Sequence, residues 1–137
     1  MIIKDLLQGM NERLKEIVPV IYPFERPSAV KDTLDEFLVI SIPSRIVNKE
    51  IGKDNDYNWH EAVVEVEIFV RDKKTSSNPN LARLERIDGI AEQIQNVFPI
   101  KDTKRKFSAV RPYILGIKSD GNGFHEAIIH ADITTLI

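Results

Sequence analysis

No cysteine occurs in the 137 residues, which removes disulfides, thiolate metal sites and cysteine nucleophiles at once. The absence suits a reducing compartment, and the chain reads as a soluble protein made and kept in the cytoplasm. Long apolar runs are missing as well. A membrane helix needs about 20 consecutive apolar residues, and the most apolar early run, IVPVIYPF, is broken by Pro19 and Pro23. The opening MIIKDLLQGMNERLKEI interleaves Asp5 and Glu12 with its apolar residues, unlike the unbroken hydrophobic centre of a secretion signal. Neither sign of charge dominates. The net charge of −2 gives no electrostatic drive toward nucleic acid or an anionic membrane. There is no G-x-S-x-G elbow and no phosphate-cradling Gly-Lys-Ser/Thr. The GNG at 121–123 runs into Phe124, His125 and Glu126, which reads as a turn rather than a phosphate loop.

What is present is an ordinary globular balance, 42% hydrophobic and 29% charged, enough for one domain over residues 1–137. Ile3, Leu6, Leu7, Met10, Leu14, Ile17 and Val18 recur at spacings of three and four, the stripe of an amphipathic helix that Pro19 closes. VIYPFERP reads as a short edge strand, because Pro23 cannot donate to a ladder, and SAVKDTLDE as a polar connector. FLVISI, apolar on both alternations, reads as a buried central strand. SRIVNKEIGKDNDYN reads as a long polar loop or loose hairpin. Leu84, Ile87, Ile90, Ala91, Ile94, Val97 and Phe98 give a second helix from Leu81, with Asn78-Pro79 as its cap and Pro99 as its end. DGNG at 120–123 is tight-turn chemistry between the last two strands. The resulting order is α-β-β-β-α-β-β. The class is α+β, a mostly antiparallel sheet with two helices packed on one face.

One motif is doubled. NWHEAVVEVEIFV (58–70) and NGFHEAIIHADIT (122–134) both read aromatic-His-Glu-Ala followed by β-branched aliphatics. Strand residues two apart share a face. Ala62, Val64, Val66, Ile68 and Val70, with Ala127, Ile129, Ala131 and Ile133, then form a core face. Glu61, Val63, Glu65, Glu67 and Phe69 lie opposite, together with Glu126, Ile128, His130, Asp132 and Thr134. A catalytic zinc helix sets two histidines four apart on one face. His125 and His130 are five apart on a strand and split across its faces. His60 and His125 start their strands, where they could meet, but nothing fixes a third ligand. The reading is therefore no metal and no cofactor. Glu65 and Glu67 share a face, yet acid–base work needs a walled cleft to raise one carboxyl pKa. An open sheet face supplies none, so these read as solvated acids and the chain as no enzyme. The competing reading is a small ligand-binding or hydrolytic domain built on the strand-end His-Glu pairs. Lys101, Lys104, Arg105 and Lys106, with Arg111, form the one basic cluster. In a slightly acidic protein this reads as a solvated linker, with nucleic acid not expected as a partner.

The opening helix IIKDLLQGMNERLKEI, VIYPFERP, EFLVISIP and HEAVVEVEIFVRD are followed by the helix LARLERIDGIAEQIQNVF and the hairpin PYILGIKSDGNGFHEAIIHADITTL. In this order the segments resemble the phage tail-terminator family, also called tail-completion or head–tail joining proteins. The resemblance spans nearly the whole chain and rests on pattern, with no catalytic motif to carry over. It implies a structural protein of a phage or prophage, and a homo-oligomeric ring, commonly a hexamer, that joins the tail tube protein to head-connector proteins. It also implies assembly in the host cytoplasm and residence in the virion. The candidate subunit or partner contact face is the mixed one: Glu61, Val63, Glu65, Glu67, Phe69, Ile128, His130 and Asp132. Apolar residues on an otherwise wet face mark contact surfaces.

Overall fold

The doubled motif builds the middle of one sheet. The computed structural model describes residues 2–51 and 57–136. Its elements run α1 (Ile2–Leu14), β1 (Ile21–Pro23), β2 (Glu36–Ser41), β3 (Val47–Ile51), β4 (Tyr57–Arg71), α2 (Leu84–Gln95), β5 (Ile100–Asp102), β6 (Phe107–Ser119) and β7 (Phe124–Leu136). The strands form one sheet in the order β1-β2-β4-β7-β6-β5, with β3 also on β4. Only β1 and β2 pair parallel. The α+β class and the mostly antiparallel sheet hold, with two short strands, β3 and β5, added to the expected order. β4 and β7 are antiparallel from Trp59 opposite Leu136 to Arg71 opposite Phe124.

Side-chain alternation then sorts the residues. Val64, Val66, Ile68 and Val70 of β4 share a buried layer with Ala127, Ile129, Ala131 and Ile133 of β7 and Leu38 and Ile40 of β2. Both helices cover this layer, through Leu6, Met10 and Leu14 of α1 and Ile87, Ile90, Ala91 and Ile94 of α2. Gly9 brings α1 close to the sheet, since a Cβ there would lie 2.4 Å from the Phe107 ring. Beside it, buried Asp102 accepts hydrogen bonds from Arg13 Nη1 (3.0 Å), Arg105 Nη1 (3.0 Å) and the Arg105 amide (2.8 Å). Burial alone would raise the Asp102 pKa. The Arg105 and Arg13 donors outweigh it and hold the carboxyl at about 2.

Four expectations need correction. The 44–58 stretch, expected as a loop or loose hairpin, carries β3, whose Val47 pairs with Glu61 and Ile51 with Tyr57. Its polar VNKEI gives little strand signal, and the pairing comes from the overhanging half of β4. The GKDND part of that reading (52–56) lies outside the described residues. The second helix starts at Leu84 rather than Leu81, with Arg83 at its N-cap and no side-chain cap. Asn78 is committed to a local turn, accepting from the Asn80 amide (2.9 Å) and the Thr75 amide (2.9 Å), while Leu81 bridges to Lys73. The basic linker is partly a strand, and Arg105 is spent on Asp102 and on Glu12 (2.6 Å). The polar connector before β2 also does more than connect. Val30 and Leu34 pack on a second buried cluster of Phe37, Val39, Phe69 and Phe124, on the face away from the helices.

Candidate functional site

The second cluster divides the mixed face into a covered end and an open end. Phe37 stacks on Phe69 at 4.7 Å and meets Phe124 edge-on at 5.4 Å. The Arg26 guanidinium lies 5.4–5.6 Å from all three rings and pairs with Asp120 in the β6–β7 turn. Cation–π attraction and the ion pair thus close the connector over this end of the sheet. Phe69, expected on the contact face, is 3% exposed and belongs to this core. The alternation placed it on the correct face. What it missed was the covering by the 24–35 connector.

The remaining candidates stay at or near the surface. Glu61 is exposed and accepts from Trp59 Nε1 at 3.2 Å. Val63 pairs opposite Asp132, and its amide donates to Ser44 Oγ at 3.0 Å. Asp132 takes Arg111 Nε at 2.9 Å. Glu65 and His130 pair across the strands, with His130 Nε2 2.9 Å from Glu65 Oε1, and the His130 ring meets Tyr113 edge-on at 5.8 Å. Ile128 is half-buried opposite Glu67.

Glu67 has the unusual chemistry. It lines a cleft of about 480 Å³, bounded by Phe24, Arg26, Lys118, Asp120 and buried Glu126. The wall thought absent is there, made by the segment after β1 and the β6–β7 turn. Glu126 Oε1 has Lys118 Nζ at 3.6 Å, but its Oε2 is buried without a donor from elsewhere in the protein. Burial, then the Glu126 carboxylate and Glu65, push the Glu67 pKa up from 4.5 to about 8. Neighbouring carboxyls resist double ionisation, so the raised pKa is a property of the pair. The reading of these acids as solvated is therefore replaced by a proton-sharing pair. The sequence signal was faint: Glu126 sits in the second His-Glu-Ala copy, diagonal to Glu67 once the register is known.

The histidines do not meet. His60 lies opposite Thr135 and His125 opposite Val70, so the two are ten residues apart along β4, about 33 Å. The antiparallel pairing that makes the copies neighbours also sends their starts to opposite ends. His125 Nδ1 instead lies 2.6 Å from Asp72 Oδ1. Among the described residues no group of three or more His, Asp or Glu side chains has metal-holding geometry, and no helix is long and apolar enough to cross a membrane.

No protein-family model and no curated protein matches the chain. Solved structures do. One is 12% identical, with a TM-score of 0.60 over 96% of this chain and 94% of the other. A second, a chain from the virion of the native gene transfer agent particle, is 7% identical. Its TM-score is 0.59 over 99% of this chain and 98% of that one. At these identities the likeness establishes a shared fold, matched end to end in both chains.

Proposed function

We propose that the chain is a structural subunit of a phage-type virion, a tail-terminator or tail-completion protein that forms a ring. In this reading the ring, six copies in the commonest case, joins the tail tube to the head connector. The chain performs no catalysis and works from the host cytoplasm into the assembled particle. The observation that carries the reading is the end-to-end likeness to a chain of the gene transfer agent virion, 99% of one and 98% of the other. The open end of the mixed face supports it, since Val63, Ile128 and the Glu65–His130 pair combine apolar area with polar specificity.

Light scattering across a concentration series tests the reading, because weak rings dissociate on dilution. The expected result is a single closed oligomer at high concentration, alone or on addition of tail-tube protein. A strict monomer at about millimolar concentration, where even weak contacts with a Kd near 1 mM begin to populate, would overturn it if tail-tube protein also failed to bind.

A further inference from the structure

The first copy of the doubled motif opens on a histidine that the fold leaves unexplained. His125 meets Asp72, and His130 meets Glu65. His60 Nδ1 is buried and has no hydrogen-bond partner among the described residues. Thr135 Oγ1, on a residue 3% exposed, is buried without a partner as well. A buried polar atom left bare is costly, so both atoms call for a partner. Three other buried atoms share that condition, and each belongs to a charged group with an ion-pair partner. Arg71 Nε lies 3.4 Å from Asp35 Oδ1, Asp72 holds His125 through its other oxygen, and Glu126 lies beside Lys118.

The two remaining atoms belong to one place. His60 stands directly opposite Thr135 across β4 and β7. Both follow the alternation of the helix-covered layer, His60 with Ala62 and Val64, Thr135 with Ile133 and Ala131. Both line a single small cavity, whose other wall is Ile3 and Leu6 of α1 with Ile42, Ile46, Ala62 and Ile133. Those six side chains are apolar and offer neither donor nor acceptor. About 10 Å³ of the cavity is open to a water-sized sphere, the space of one water molecule. A cavity lined by hydrocarbon alone stays dry, whereas one with two bare polar atoms is suited to hold water. An ion does not suit it, since no carboxylate or cationic side chain lines the wall to offset the loss of hydration.

We infer that a single water molecule is bound beneath α1, hydrogen-bonded to both His60 Nδ1 and Thr135 Oγ1. Water both donates and accepts, as a threonine hydroxyl does, so the bridge serves either tautomer of the His60 ring. Two protein partners are enough to hold a buried water. The bridge ties the start of the first His-Glu-Ala copy to the end of β7. It gives His60 a structural task, and it is independent of the ring-forming reading above.

A crystal structure of the unaltered chain tests this directly. The expected result is one ordered water within about 2.7–3.2 Å of both atoms. In solution, oxygen-17 relaxation dispersion counts the long-lived waters of a protein. That count should fall by one in the double variant His60→Leu/Thr135→Val, which replaces both polar ends by apolar groups. Thr135→Val alone keeps the shape, removes the hydroxyl and leaves His60 facing a poorly held water, so its melting temperature should fall by a few degrees. Adding His60→Leu to Thr135→Val should then cost less than His60→Leu does alone, because no bare acceptor is left. A cavity without water density, or a ring turned to bond Thr135 directly, would overturn the inference. An unchanged count of long-lived waters in the double variant would overturn it too, and should that variant not fold, the crystal structure of the unaltered chain decides.

Discussion

A single carboxyl gives the fold its most distinctive pH dependence. Glu67 holds its proton to about pH 8 in the folded protein, against 4.5 for the ordinary group. Between those values the folded state binds a proton that the unfolded state releases, so stability is fully present below 4.5 and is lost as pH rises through 8. Glu126 and then Glu65 are the charged neighbours that set this balance, with Lys118, Arg26 and Asp120 lining the same cleft. Glu67→Gln copies the protonated form permanently. Its melting temperature should match the native protein in acid, exceed it above pH 8, and vary less in between. A native melting temperature that climbs steadily from pH 5 to pH 8 would contradict the assignment. The neighbouring residues separate core from surface. Val66 is 0% exposed in the helix-covered layer, so Val66→Asp should cost several kcal/mol and unfold a marginal domain. From the sequence Glu65→Lys would be nearly neutral. With His130 and Ser41 bonded to that carboxylate, a loss of about 1–2 kcal/mol is expected instead. Thermal melting of the two variants side by side checks both, and a tolerated Val66→Asp would mean the register of β4 is inverted.

Among the elements, α1 depends on one residue that propensity alone would call a fault. Replacing a mid-helix glycine by alanine normally stabilises a helix by about 1 kcal/mol. At Gly9 the added methyl would sit 2.4 Å from the buried Phe107 ring and 3.1 Å from Asp102 Oδ2. The helix must then lift off the sheet and loosen the Arg13–Asp102–Arg105 cluster. Gly9→Ala is therefore expected to destabilise by about 1–3 kcal/mol in denaturant unfolding, whereas Gly89→Ala in α2, with open space at its Cβ, should stabilise. Elements with strong periodicity were legible: the two helices, β2, β4 and β7, and the 120–123 turn. Those that lean on neighbours were not. β3 is polar and pairs only because β4 overhangs β2, and β5 is three residues long. The N-terminus of α2 was misplaced because Asn78 spends its side chain on a local turn that looks the same in sequence as a cap.

At the scale of the whole molecule, the alternation of the His-Glu-Ala copies told which residues face the helices but not which ends of the strands come together. That information lives in the antiparallel register, which separates His60 from His125 and sets Glu67 diagonal to Glu126. Burial of Phe69 was likewise beyond local pattern, since Arg26 and Asp120, which close over it, are 94 residues apart in the chain. The register also has a consequence for biosynthesis. β7, residues 124–136, lies between β4 and β6, so the centre of the sheet is supplied by residues that emerge from the ribosome after both strands it joins. Until they do, β4 exposes one full edge and the apolar side chains that flank it, a nascent state prone to mispairing with other chains. A ribosome that stalls or a protease that cuts before residue 124 would leave β6 and β5 with no strand to join them to β4. Assembly is thereby restricted to chains whose translation has passed β7.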